Sequence, residues 1–92
     1  MRIRQMIVRA VNKIRGVDAY ALLRTRSNAH VSISSLALYL NIPLMVISDW
    51  EFEFAAIPKD QYEKAMKYLH ECLEEREKLE RKEFIESPVW RD

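Results

Sequence analysis

The stretch "LALYLNIPLMVISDWE", residues 36–51, decides the fold. Leu36 and Leu40 sit one helical turn apart, and so do Pro43 and Ile47. Between them stands Asn41, the residue that after glycine best tolerates a left-handed backbone, so it suits a turn. Pro43 follows, and its fixed φ suits the start of a second helix. For two short helices to cross at so tight a turn, Leu36, Leu40, Ile42 and Ile47 must face inward. Ala37 must be small, because the helix axes approach there. The spacing predicts helices over 33–40 and from about 43 to 51.

The flanks continue the helical pattern. Ser32 is a good N-cap for "ISSLALYL". Residues 19–28, "AYALLRTRSN", form a helix with Leu22 and Leu23 as apolar anchors and Asp18 as its cap. Gly16 stops an earlier helix over 2–15, in which Ile3, Ile7, Val11 and Ile14 recur at helical spacing. Met6 and Ala10 widen that stripe, while Arg2, Arg9 and Lys13 fall on another side. Downstream, "FEFAAIP" reads as a loop. From about 59 to 86 the pattern is one long helix, with Tyr62, Met66, Leu69 and Leu73 as a seam and Ala65, Cys72 and Leu79 beside it. Ser87-Pro88 closes it. The expectation is an all-α fold: one helical domain over 1–92, its two-helix core within about 18–70 and its C-terminal helix over about 59–86.

Composition sets the outer bounds. The chain has 92 residues, 49% of them apolar and 32% charged, a globular and not a disordered mixture. Cys72 is the sole cysteine, so no internal disulfide is possible and a reducing cytoplasm is expected. The apolar run over 36–47 is broken by Asn41 and Pro43 and is too short to cross a bilayer, so no membrane partner is expected. The first residues, studded with Arg2, Arg4 and Arg9, lack the apolar core of a signal peptide. His30 and His70 are far apart without neighbouring ligands, and no nucleophile–base pair or phosphate loop stands out. No enzyme, metal or cofactor is expected.

Charge is segregated. Residues 1–30 carry a net +6, residues 31–58 carry −3, and residues 59–92 carry −2. The 28 residues from Val31 to Pro58 contain no Lys or Arg at all. Helix pairs of this kind are commonly used to read DNA, whose phosphates demand cations.

With Arg26 and Val31-Ser32 upstream and Pro58 downstream, "LALYLNIPLMVISDWE" resembles the Cro and lambda-repressor-like helix-turn-helix family, of the xenobiotic-response-element type. Leu36-Ala37 opens the pattern, Asn41 stands where the family has Gly, and Ile42, Ile47, Ser48, Trp50 and Glu51 fall in register. The resemblance covers roughly residues 18–70. It implies a lambda-repressor-like domain with an added N-terminal helix and a long C-terminal helix, in which Arg26 and Glu51 pair inside the domain. It makes Leu44, Met45, Ser48 and Asp49 the base-reading positions. The family usually offers Gln, Ser, Arg or Asn there. Leu and Met touch only apolar groups such as a thymine methyl, and Asp is costly near phosphate. Ile33 replaces the Gln that often grips phosphate, and the loop "FEFAAI" lacks the usual Gly and bases. Phosphate contacts would fall to Arg2, Arg4, Arg9, Lys13, Arg15 or Arg24.

Two functions follow as expectations. One is a small transcriptional regulator of phage or mobile-element type, a homodimer on double-stranded DNA. Its dimer would form through the Tyr62–Leu73 seam. The other is a protein-binding module, a viral inhibitor or accessory factor, with its DNA face repurposed to grip a protein. In that case Leu44, Met45, Phe52, Phe54 and Ile57 would form an exposed apolar surface, unless about half of them pack beneath the C-terminal helix.

Overall fold

The structure, a computed structural model, describes residues 2–86, and all of its regular structure is helical: α1 (Ile3–Arg15), α2 (Ala19–Asn28), α3 (Ile33–Leu40), α4 (Leu44–Glu51) and α5 (Lys59–Glu86). The expected stop at Ser87-Pro88 lies outside the described residues. Local chemistry explains the boundaries. Gly16 ends α1 with φ 75°, in the left-handed region. One Asp18 carboxylate oxygen accepts from the amides of Tyr20 (2.9 Å) and Ala21 (3.2 Å), opening α2. Ser32 Oγ accepts from the Ser35 amide at 3.0 Å and opens α3. Asn41 takes φ 57° and ψ 47°, and α4 leaves the turn bent by 116° from α3. That angle is typical of two helices joined by a three- to four-residue turn.

The core draws one large, fully buried side chain from each of five segments. These are Leu22 of α2, Leu36 of α3, Ile47 of α4, Ile57 of the loop and Leu69 of α5. Each is worth about 1.5–3 kcal/mol of burial. Leu40 and Trp50 are also buried and join them in one cluster. Helix α4 packs on α2 and α3, and α5 packs on the same two helices. Tyr39 of α3 stacks on Tyr68 of α5 with centroids 4.0 Å apart, and Lys64 Nζ lies 5.7 Å from the centre of the Tyr39 ring.

Three expectations change here. Leu22 is an anchor, but Leu23 is exposed and lines the hollow between α1 and α2. The Tyr62–Met66–Leu69–Leu73 seam is used inside the chain. Leu69 is fully buried, and the other three pack against the core. Much of the apolar surface on which a dimer through α5 rested is therefore used inside the chain, with Tyr62, Met66 and Leu73 left half-buried. Beyond Leu73 the helix runs out along a molecule whose longest dimension is 61 Å. An ion pair, Arg76–Glu80 at 3.2 Å, dresses this half.

The third change concerns α1. Its regular apolar stripe does not face the core. Val8 and Asn12 are buried instead, while Ile3, Met6, Ile7 and Ile14 are exposed. No other helix packs on α1 to the extent seen among α2–α5. Polar bonds to residues 52–57 hold it. Gln5 Nε2 donates to the Phe52 carbonyl (3.1 Å), and Arg15 Nη1 donates to the Ile57 carbonyl (3.2 Å). The Ile57 amide donates to Asn12 Oδ1 at 2.9 Å, and Arg9 grips Glu53 with bonds of 2.9 and 2.6 Å. Glu53 itself sits at φ 63°, and its left-handed backbone ends the α4 turn, with the Phe54 amide donating to the Asp49 carbonyl at 2.8 Å.

Two outcomes follow from this clamp. Asn12→Ala leaves the buried Ile57 amide without an acceptor, so urea melts should show about 1–3 kcal/mol of lost stability. The Arg9 guanidinium, mainly through its hydrogen bonds, holds the Glu53 carboxyl below its ordinary range. A depressed carboxyl stabilises the fold above its unfolded pKa, and that stabilisation is lost as pH falls through the lower folded value. The Arg9 side chain is 55% accessible and that of Glu53 21%, so solvent screens the pair and the effect is small. The protection of α1 amides, taken as exchange relative to the intrinsic rate at each pH, should therefore fall below about pH 4, where carboxylates protonate. Glu53→Gln should abolish that dependence, and an α1 insensitive to acid in the parent chain would contradict it.

Candidate interaction surface

The α3–α4 elbow is the feature around which the sequence-predicted site residues gather. Leu36 and Ile47 point into the core, and this turns Leu38, Leu44 and Met45 outward. They are 82%, 44% and 67% exposed. Ser48 and Asp49 are only half-buried. Of the four positions expected to read bases, the two that reach furthest into solvent are therefore aliphatic. A shallow groove of about 480 Å³ runs along the elbow between Leu38 and Leu44, floored by Ala37, Ile42 and Pro43 and edged by Ser34 and Asn41.

Leu38 was not among the expected site residues, although its signal was present. Two residues beyond inward-facing Leu36 on a helix is about 200° around, hence outward. Of the other apolar candidates, Ile57 is fully buried, while Phe52 and Phe54 are exposed with ring centroids 6.4 Å apart. The packing of about half this group beneath α5 does not occur. Only Ile57 goes inside, as a lid over the core.

The electrostatics of the elbow are set by two ion pairs. Arg26 Nε donates to Glu51 Oε2 at 2.7 Å and Nη2 to Oε1 at 3.0 Å, a two-pronged grip between the end of α2 and the end of α4. Its Nη1 also donates to the Val31 carbonyl at 3.0 Å. The two side chains are only 14% and 3% accessible. Arg9, expected to meet phosphate, is instead committed to Glu53. Both arginines that reach the C-terminal end of α4 are thus neutralised within the chain. Arg2, Arg4, Lys13 and Arg24 are exposed, Arg2, Arg4 and Lys13 belong to α1 or its cap, and none of the four lines the Leu38–Leu44 groove. A second hollow, of about 400 Å³, lies between α1 and α2 and is lined by Asn12, Asp18, Tyr20, Glu51 and Glu53 among others. Asn12 Nδ2, buried and without a protein partner, is one of two such side-chain atoms among the described residues. No cluster of three potential metal ligands occurs among the described residues.

The Arg26–Glu51 pair can be measured. Either single alanine strands a buried charge and should cost on the order of 3 kcal/mol. The double change should cost clearly less than the sum, because the stranded charge is then gone. Chemical melts of the three variants give the coupling, and additive losses would show that the two groups do not interact.

Comparison of the chain with protein-family models, with curated proteins and with solved structures found no match.

Proposed function

We propose that this chain is a protein-binding module on a lambda-repressor-like helix-turn-helix fold, and that its outward helix grips a protein where a DNA reader would grip bases. One observation carries the reading: the exposed side chains of the α3–α4 elbow include the large apolar Leu38, Leu44 and Met45, in a 28-residue stretch without Lys or Arg. Aliphatic side chains read almost nothing from a base edge. They are suited to filling an apolar pocket on a protein, where a few buried anchors supply most of the affinity. The Arg26–Glu51 pair supports the fold assignment, since the family resemblance implies that pair at those positions. It also removes a cation from the region where DNA would lie.

The DNA reading keeps one specific support. Arg2, Arg4, Lys13 and Arg24 are exposed and make no ion pair among the described residues. The two readings part in one experiment. Leu44→Asp with Met45→Asp should leave the melting midpoint nearly unchanged, because both positions are exposed. The pair should abolish capture of the protein partner, each anchor being worth more than about 1 kcal/mol. Fluorescence titration with mixed duplex DNA at physiological salt should show only weak binding, indifferent to the change. Tight, sequence-dependent duplex binding lost in the variant would establish the DNA reader instead.

A further inference from the structure

The face of α1 turned away from the domain is apolar, and its edges are basic. Ile3, Ile7 and Ile14 are 75%, 58% and 86% exposed, with Met6 beside them. Taking Ile3 as the reference and about 100° per residue, Met6 lies some 60° to one side and Val11, which is half-buried, some 80° to the other, an apolar arc of roughly 140°. Lys13 and Arg2 follow on one edge of that arc, and Arg4 and Arg15 on the other. No Asp or Glu occurs before Asp18. Opposite the arc, Gln5, Arg9 and Asn12 make the bonds that fasten the helix to residues 52–57. The apolar face is therefore outward in the folded chain, and nothing must unfold to present it.

We infer that this face lies on the surface of an anionic lipid bilayer, with the axis of α1 parallel to the membrane plane. A helix with a strong apolar face, low mean hydropathy and Lys/Arg along its polar side is the kind that settles into the headgroup boundary. The bases on both edges hold their aliphatic stems against the apolar region and their charges at the level of the phosphates. No single helix among the described residues is long and apolar enough to cross a membrane. The expectation of no membrane partner rested on the lack of a spanning segment, and this proposal departs from it: a surface helix needs no such segment.

Two other occupants fit less well. A second copy would set α1 against α1, and each edge would then meet an edge of like charge. The ridge is also small. A helix of 13 residues is about 20 Å long. A ridge about 10 Å wide gives a footprint on the order of 200 Å², far short of the roughly 800 Å² per partner of a stable interface. A partner helix would cover a narrow seam and leave the margins of a 140° arc wet, whereas a bilayer covers its full width. The arc also holds no Trp, Tyr or Arg of the kind that anchors protein interfaces.

The test uses the full chain and vesicles of phosphatidylcholine, with or without about three parts in ten of phosphatidylserine as the anionic lipid. The chain should float with the anionic vesicles and scarcely with the neutral ones. Each base near the surface contributes about fivefold, so Arg4→Gln with Lys13→Gln should weaken partition by more than tenfold. Ile7→Ser with Ile14→Ser should weaken it by roughly tenfold or more. Both isoleucines are exposed, so the thermal midpoint should not fall. Ile3→Ser with Met6→Ser provides a second pair with the same expected result. No partition into anionic vesicles would overturn the inference. So would partition that survives both apolar pairs, which would be charge attraction alone, or a dimer or an acidic protein complex that depends on these isoleucines while vesicles are ignored. The elbow variants Leu44→Asp and Met45→Asp should leave vesicle binding intact, which keeps this test separate from that of the proposed function.

Discussion

Arg26 joins three parts of the chain through one planar group. Its guanidinium holds both oxygens of Glu51 and the Val31 carbonyl, so the end of α2, the link into α3 and the end of α4 share one anchor. A carboxylate at the C-terminal end of a helix opposes the helix dipole, and Glu51 occupies that position in α4. Arg26 compensates it. Net stabilisation from a buried pair is small, because desolvation consumes most of the Coulomb gain. Its value lies in registration. With the end of α4 fixed, the 116° bend at the elbow is held at both sides, and Leu44 and Met45 are directed outward together.

A second clamp fixes the orientation of α1 through different chemistry. Residues 52–57 offer carbonyls, an amide and the Glu53 carboxylate, and α1 answers with Gln5, Arg9, Asn12 and Arg15. These contacts span 42 to 47 residues of sequence. They compete with the ordinary tendency of an amphipathic helix to bury its apolar stripe. The polar clamp wins here: α1 buries only Val8 and Asn12, and its isoleucines stay outside.

Much of this was legible in the sequence, and the failures share a cause. Asp18, Ser32, Gly16 and Asn41 act on their immediate neighbours, so the ends of α1, α2 and α3 follow from local chemistry. Leu36, Leu40 and Ile47 face inward because periodicity within the α3–α4 pair leaves them no alternative. Periodicity gives the apolar face of α1 as well, but it cannot say whether that face meets the core or something outside. That depends on Asn12 finding the Ile57 amide 45 residues away, for which no local pattern exists. The left-handed residues His30 and Glu53 were equally hidden. Neither is a residue type that announces a turn as Asn or Gly does. The outward elbow was readable by position, whereas its chemistry was obscured by the positive charge of residues 1–30.

That charge is smaller in the folded chain than in the sequence. Of the seven bases in residues 1–30, Arg26 is spent on Glu51 and Arg9 on Glu53, while Arg15 keeps its charge as it donates to the Ile57 carbonyl. Arg2, Arg4, Lys13, Arg15 and Arg24 remain. If all five met duplex phosphates at once, the logarithm of affinity would fall with the logarithm of salt at a slope of about −4.5. Affinity would then drop by about five-hundredfold between 50 and 200 mM salt, against the roughly 10³–10⁵ of proteins that make six to ten phosphate contacts. Arg4 and Lys13 border opposite edges of the outward face of α1, with the isoleucines between them. On the proposed reading this arrangement suits a bilayer, which meets α1 broadside and takes up its apolar face and its flanking charges at the same time.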